Sequence, residues 1–535
     1  MRATGAVYDD PTRGARPHGP TVAVVTRTPL DPRTPVIIGV GQTLQRHDDP
    51  ATAGDATELM AEAIRLAAGD TGASHSPIAT VDVLAVVNTL SWRYGDPARV
   101  VSERLGIDPA HRVVTPMGGN SPQSLVNAAA EAIGHGELDL AVLVGGETWR
   151  TRMRARRQGV TLEWPKVDPG LLAAEPPATW GHELTMNSAA ETDLGLIMPV
   201  QVYPMFESAL RAARRADGVT PEQHLNDVGA MWSRFSEAAA SNPYAWIQRV
   251  MTADEIVTPS ERNRLVGSPY TKVMNSNNDV DQAAAVIICS VERARALGVP
   301  ADRWVFPHSG TDCHEHPFIS EREHFHTTPA VVAGGRMALD LAGVGIDDIP
   351  HLDLYSCFPS AVQLGARSLG LDPFAADRAL TLTGGLSFAG GPWNNYVMHS
   401  IATLVGRLRA DAGSAGLVWA NGGYVTKHAF GVYGTEPPSA GFRRGSPQDA
   451  VDALPRRTMA DPAEAVTAGT GTIESYTVMH DRDGRPETAW ASILLPDGRR
   501  VWGRSTRADL VAHLLDGEHV GESVRPLPDH DFEPA

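Results

Sequence analysis

The segment Met117 to Glu147, MGGNSPQSLVNAAAEAIGHGELDLAVLVGGE, constrains this chain more than any other. It predicts a Gly-Gly turn, a helix of about three to four turns, a buried strand and a second Gly-Gly turn. Ala-rich spacing from Leu125 to Ile133 gives a helix slim enough to be covered on several sides. The apolar run Leu140 to Val144 suits a parallel strand and is too short for a membrane span. A similar unit returns from Gly390 to Gly423, GGPWNNYVMHSIATLVGRLRADAGSAGLVWANGG. Ahead of each unit the likeness is closer: Val81–Val87 leads to ERLGIDP ending at Pro109, and Leu352–Phe358 leads to RSLGLDP ending at Pro373. Leu105, Gly106, Asp108 and Pro109 therefore meet Leu369, Gly370, Asp372 and Pro373 at one constant offset of about half the chain, as in an internal duplication.

The elements between these units extend the pattern. PVIIGVGQT from Pro35 reads as a strand and Thr57–Gly72 as an amphipathic helix, so strands alternate with helices in α/β fashion and imply a parallel sheet covered on both faces. After Glu147 the chain turns basic and aromatic and then mostly helical to about Val266, which reads as an insertion over the mouth of the first half. Ser268–Ser290 is an Asn/Asp-rich loop followed by a slim buried helix or strand. Near the end, Asp483-Gly484 and Asp497-Gly498 are turns flanked by β-branched and aromatic residues, which predicts an antiparallel meander of the size of a small OB-like barrel. The expected organisation is a flexible extension (1–33), a first half in two pieces (34–146 and 267–300), the insertion (147–266), a second half (301–435), a linker (436–465) and a barrel (466–535).

Composition narrows the function. A net charge of −17 argues against a nucleic-acid partner, which needs a basic surface. Three cysteines are too few for a disulfide framework, and no apolar run reaches about 18 residues, so a cytoplasmic protein without a membrane span is expected. Cys313, His314, His316, His324 and His326 crowd one stretch that reads as a surface or pocket-edge loop; no second pair at recognised ligand spacing accompanies them, and no metal site is expected.

From Pro35 to Thr435 the duplicated halves, the insertion and strings such as PYTKVMNSNNDVDQAAA and LDLYSCFPSAVQ resemble the thiolase superfamily. Within it the chain is most similar to sterol-carrier-protein-type thiolases and to actinobacterial thiolase-like proteins known as acetyl-CoA acetyltransferases. The resemblance implies a layered α-β-α-β-α thiolase fold, coenzyme A thioesters as substrate or ligand with no tightly bound cofactor, and either a homodimer formed through a sheet edge or a chain whose barrel or insertion covers that edge.

The thiolase chemistry itself does not carry over. The nucleophilic Cys at the N-terminus of the first buried helix falls on Gly119, followed by Asn120, Ser121 and Pro122. The Asn or His that orders a water in the oxyanion site becomes Tyr355, the His of Gly-His-Pro becomes Gly391, and the second Cys falls within Ala420-Asn421-Gly422-Gly423. One reading keeps an enzyme: Tyr355, Asn394, Asn395, Lys427 and His428 lie on or beside the turns that hold the family's catalytic atoms, with Gly118, Gly119, Asn120, Gly422 and Gly423 holding the ligand and Arg150 a phosphate. Such a site suits acid–base chemistry of aldol or retro-aldol type, as in thiolase-like aldolases that work with an OB-type partner domain. Alternatively Ser121 or Cys357 accepts the acyl group, although Ser121 also reads as a helix N-cap. The other reading is a non-catalytic carrier of acyl-CoA or lipid.

Overall fold

The structure is a computed structural model that describes residues 30–535, so most of the expected N-terminal extension lies outside the described residues. The first half contains β1 (Pro35–Leu44), α1 (Ala56–Asp70), β2 (Val83–Val86), α2 (Pro97–Leu105), β3 (His111–Val114), α3 (Ser121–His135) and β4 (Leu140–Thr148). The insertion holds α4 (Trp149–Gln158), α5 (Pro169–Ala174), β5 (Ala178–Thr179), α6 (Ala189–Leu194), α7 (Pro199–Arg214), α8 (Pro221–Ser241), α9 (Ala253–Val257), β6 (Leu265–Gly267) and β7 (Tyr270–Thr271). Next come β8 (Asp281–Ser290) and α10 (Val291–Ala296). The second half contains β9 (Phe306–His314), α11 (Pro329–Ala342), β10 (His351–Leu354), α12 (Pro359–Ser368), α13 (Gly385–Phe388), α14 (Tyr396–Ala410), β11 (Ala415–Gly422), β12 (Lys427–Gly434) and β13 (Arg443–Gly445). The chain ends with α15 (Gln448–Asp452), α16 (Pro462–Ala468), β14 (Gly471–His480), β15 (Pro486–Leu494), β16 (Arg500–Ser505), α17 (Ala508–Leu515), β17 (Ser523–Pro526) and β18 (Phe532–Pro534).

The duplication is visible in the sheets. The first runs β1-β8-β4-β2-β3-β5 and the second β10-β11-β12-β9-β13. Thus β2, β4, β8 and β1 correspond in order to β10, β11, β12 and β9. Gly106 and Gly370, the matched glycines of the two sequence repeats, both adopt positive φ (65° and 79°) just past α2 and α12. Each sheet is mixed, not wholly parallel as the strand–helix alternation suggests: β8 and β12 return antiparallel to their neighbours. The ambiguous Ala-rich run is settled as a strand, since alternate residues of β8 enter different cores: Ala284, Val286 and Ile288 one, Ala283, Ala285, Ile287 and Cys289 the other. Burying each Val or Ile side chain contributes about 1.5–3 kcal/mol, so β8 is held by apolar burial on both of its faces.

Helices α3 and α14 lie against each other and against strands of both sheets, so they form the middle layer. Their small residues fit that position: Ala129, Ala130 and Val126 of α3 and Ala402 of α14 are buried. The segment 436–465, read as a linker, contributes β13 to the second sheet, parallel to β9, and two short helices. The predicted meander is β14–β16, extended by β17 and β18; no ladder joins β16 to β18 among the described residues, so barrel closure is not made by strand pairing. The C-terminal unit packs on α7, where Ser475 Oγ donates to the Met205 carbonyl and Ser208 Oγ accepts from Tyr476 N–H. Its fully buried Arg500 donates to the carbonyls of Ile319, Ser320 and Arg322. No helix among the described residues is long and apolar enough to cross a membrane.

Candidate functional site

The N-terminus of α3 meets the β11–β12 turn at the centre of the molecule, and several of the residues singled out in the sequence converge there. The Gly118 N–H donates to Asn394 Oδ1 (3.1 Å), and Asn394 Nδ2 donates to the Asn88 carbonyl (2.9 Å). Asn394 therefore clamps the Gly-Gly turn to the end of β2, which is a positioning role. Asn120, not Ser121, occupies the cap position of α3. Its Nδ2 reaches Ser124 Oγ at 3.3 Å while its Oδ1 is buried without a partner. Ser121 is already helical, and its hydroxyl donates to the Pro116 carbonyl (3.2 Å).

The place of the thiolase nucleophile is filled. A Cβ on Gly119 would lie 2.5 Å from Tyr355 Oη and closer still to the Asn421 carbonyl oxygen, so only glycine fits. Tyr355 packs edge-on against Tyr396 at 5.6 Å, and among the described residues its hydroxyl has no hydrogen-bond partner. Burial, with the Cys357 and Tyr396 side chains adding to it, pushes the phenol well above 10, so Tyr355 is a neutral donor. The second motif position is closed too: a Cβ on Gly391 would collide with Ser276 Oγ and sit 2.9 Å from Asn278 Oδ1. Asn395 lies deeper, with both amide atoms buried and unpartnered.

The insertion seals the turn from above. Tyr203 of α7 donates to the Gly423 carbonyl (2.8 Å) and accepts from Asn421 Nδ2 (3.1 Å) and Val425 N–H (3.2 Å). It stacks on Phe358 at 4.3 Å. Gly423, at φ 74°, faces the Met186 sulfur of the same insertion. Nothing in the spacing of aromatic residues across the insertion marks Tyr203 for this role. Cys357 lies beside it; burial, only partly offset by the Tyr203 hydroxyl, pushes its thiol up to about 12, which makes it a poor nucleophile.

An open face remains on the β12 side. In the β11–β12 register Gly422 pairs with Lys427 and Asn421 with His428. Lys427 Nζ donates to the Met117 carbonyl at the start of the α3 turn. Burial lowers its pKa, with the Glu183 carboxylate acting in the opposite direction. His428 is held neutral, far below 6.5, by burial and then by the charges of Arg322 and His314. Its Nδ1 accepts from Trp419 Nε1 (3.4 Å), and its Nε2 is buried without a partner. A cavity of about 700 Å³ opens onto Asn120, Ser124, Lys427 and His428, roofed by His182 and Glu183 of the insertion. Tyr355, Gly118 and Gly119 are not part of its wall. A larger groove of about 900 Å³ lies at the other end of α3, against His135 and Pro437–Arg444, and holds none of these groups.

The remaining candidates are placed elsewhere. Arg150 donates to the His47 carbonyl (2.9 Å), approaches Asp48 and stacks over Trp246, so it ties α4 to the loop after β1 and stays outside the cavity. Cys313 and His314 belong to β9 and not to a loop; Cys313 Sγ donates to the Ala330 carbonyl, and His316 contacts the Pro455 carbonyl. No sequence signal marks one buried carboxylate: Glu147, at the end of β4, accepts from Leu90 and Ser91 N–H (2.7 Å each) and is pushed up to about 7 by burial.

Residues 447–530 match the family profile of the thiolase-like protein type 1 additional C-terminal domain. Comparison with the curated proteins gives no match. Among solved structures, the chain is 33% identical to a monomeric SCP2-thiolase-like protein type 1 from Mycobacterium smegmatis, covering 95% of this chain and 100% of that one with a TM-score of 0.78. The fold is shared with the Ltp2-ChsH2(DUF35) aldolase (21% identity, 75% of this chain and 98% of that one, TM-score 0.55). It is also shared with the Acat5 thiolase from Ascaris suum in complex with coenzyme A (17%, 75% and 99%, TM-score 0.53). With one third of its residues shared along the full length of the mycobacterial protein, and with that family's additional C-terminal domain, this chain belongs to the SCP2-thiolase-like type 1 proteins of the thiolase superfamily.

Proposed function

We propose that the chain binds an acyl thioester of coenzyme A, or of a carrier, in the cavity beside α3 and transforms it by acid–base chemistry without an acyl-enzyme. The observation that carries this reading is Lys427: a buried amine on a cavity wall, beside the first turn of α3, with its pKa lowered by burial. An amine that holds its proton less tightly than in water is suited to taking and returning one. In retro-aldol cleavage of a 3-hydroxyacyl thioester, Lys427 removes the hydroxyl proton, the C2–C3 bond breaks to a carbonyl product and a thioester enolate, and the ammonium returns the proton to the enolate carbon. The positive end of the α3 dipole favours the negative charge that develops on the thioester oxygen. His428, neutral and buried, offers a second proton-carrying group on the same wall, and Asn120 an unpartnered carbonyl oxygen.

A second reading, a carrier that holds the thioester intact, is favoured by one observation: Tyr355 fills the site where thiolases perform their chemistry. The test is a panel of acyl-CoA, 3-oxoacyl-CoA and 3-hydroxyacyl-CoA thioesters incubated with protein and with Lys427→Met, followed by mass spectrometry of small molecules and intact protein. Cleavage products lost in the variant, with no protein adduct, support the enzyme. Tight binding of unchanged thioester supports the carrier. An adduct on Ser121 or Cys357 overturns both, and absence of binding to every thioester overturns the ligand assignment.

A further inference from the structure

The C-terminal domain contains a second constellation, remote in sequence from the thiolase halves and unused by the chemistry above. His513 lies on α17, and His519 and Glu522 lie in the loop that leads to β17. Gly517 and Gly521, at φ 112° and 94°, turn the chain twice within this loop and fold HLLDGEHVGE back on itself. The two carboxylate oxygens of Glu522 are then divided between two imidazoles: Oε1 is 2.8 Å from His513 Nε2 and Oε2 is 2.5 Å from His519 Nδ1. One nitrogen from each ring and one carboxylate oxygen lie within 4.8 Å of one another.

The scaffold under these groups is rigid. Glu522 is fixed through its backbone, because its carbonyl accepts from Ile473 N–H on β14 (3.0 Å) and its own N–H donates to the His519 carbonyl (3.0 Å). The His519 ring is buried and packs edge-on against Tyr476 at 5.6 Å, while Leu510 and Leu514 anchor α17 in the core of the domain. Burial also leaves His519 Nε2 without a partner. The open side faces solvent through His513 and Glu522, which are part exposed.

We propose that His513, His519 and Glu522 form a binding site for one divalent transition-metal ion of the zinc type. Two imidazoles and one carboxylate are the donors such ions prefer, whereas calcium and magnesium require oxygen ligands. With metal–ligand bonds of about 2.0–2.2 Å, tetrahedral donors stand about 3.4 Å apart, so the ion enters if the nitrogen–oxygen contacts open by less than an ångström. Binding requires the ring nitrogens that face Glu522 to be free of protons: each imidazole coordinates as the neutral ring with its single proton on the far nitrogen, any further proton is released to water, and water completes the shell. The role is structural. The same loop reaches the insertion, where Glu518 pairs with Arg211 of α7 at 2.6 Å, so an ion that stiffens residues 513–522 also stiffens the seat of the domain on α7.

The test uses full-length protein stripped with a chelator and titrated with Zn²⁺, and separately with Co²⁺. One equivalent of metal, a visible Co²⁺ absorption band and a metal-dependent rise in Tm are expected. Glu522→Gln keeps one acceptor and one donor for the two rings, so the metal-free variant should retain the circular dichroism and Tm of the stripped wild type while losing metal affinity by more than about tenfold. His324→Ala, a control for the histidine-rich segment after β9, should bind normally. The proposal is overturned if stripped wild type takes up neither metal, or if uptake survives both Glu522→Gln and His513→Ala, which would mean an adventitious ion elsewhere.

Discussion

Gly119→Ala tests whether Tyr355 has taken the nucleophile's space. The new methyl group would lie 2.5 Å from Tyr355 Oη and 2.9 Å from Cζ, with the Asn421 carbonyl oxygen nearer still, where relaxed contacts are about 3.5–4 Å. Neither neighbour yields easily: Asn421 is paired with His428 in the β11–β12 ladder, and the Tyr355 ring is wedged against Tyr396. Overpacking a close-packed interior costs about 1–3 kcal/mol, and a backbone neighbour places this site at the upper end, about 3 kcal/mol. Replacing Gly by Ala also removes unfolded-state freedom and returns about 0.4–1 kcal/mol. The net expectation is a loss of about 2 kcal/mol, read from the urea midpoint at unchanged m-value by tryptophan fluorescence. Tyr355→Phe deletes the hydroxyl and leaves the other clashes, so the double variant should recover only part, with a coupling of about 0.5–1 kcal/mol. Gly119→Cys should form no acyl adduct with acetyl-CoA. If Gly119→Ala is as stable as wild type within about 0.5 kcal/mol, the space is open and the exclusion of cysteine chemistry fails.

Three further outcomes follow from buried charge. Lys427 has a folded pKa below its ordinary 10.5, so unfolding takes up a proton between the two values and wild-type stability rises with pH through that window; Lys427→Met should abolish the slope in denaturation curves recorded up to pH 10.5. Glu147 has the opposite sign: its folded pKa of about 7 exceeds 4.5, so stability falls as pH rises from 4.5 to 7, and Glu147→Gln should flatten that decline. Arg500→Met removes the partner of Glu474 and of three loop carbonyls, and should destabilise by about 3–5 kcal/mol while exposing the chain near residue 447 to limited proteolysis.

The sequence made the duplication legible because its evidence is local: a helix end closed by a left-handed glycine leaves the same letters in both halves, at Gly106 and Gly370. The strand–turn–helix units around α3 and α14 were readable for the same reason. Gly118, Gly119, Asn120, Tyr355, Gly422 and Lys427 were brought together by the resemblance to the thiolase motifs, on or beside which these residues fall. Roles that depend on distant partners were not legible. Arg150 carries the same letter whether it meets a phosphate or the His47 carbonyl, and Ser121 the same letter whether it caps α3 or sits one residue inside it. Tyr203 reaches the β11–β12 turn from more than two hundred positions away in the chain, without any periodic signal. The strand character of β8 was open because a run buried on both faces has no periodicity to distinguish strand from helix.

The loss of the thiolase residues did not leave a hollow. Tyr355 comes from the second half and Tyr203 from the insertion, and both meet the Gly119–Asn421 contact that joins the halves. A decayed site lined with small residues would have kept the hole and lost van der Waals contacts around it. Here the aromatic rings restore packing and hold α3 against the β11–β12 turn, so the two-half architecture survives without a nucleophile. Among the described residues, the cavity beside this end of α3 opens on the β12 side, past His182 and Glu183, with Lys427 and His428 as proton-carrying groups on its wall. On the proposed reading the chemistry falls to Lys427, which no thiolase motif names, so substitution of Lys427, and not restoration of a cysteine at Gly119, separates an enzyme from a carrier.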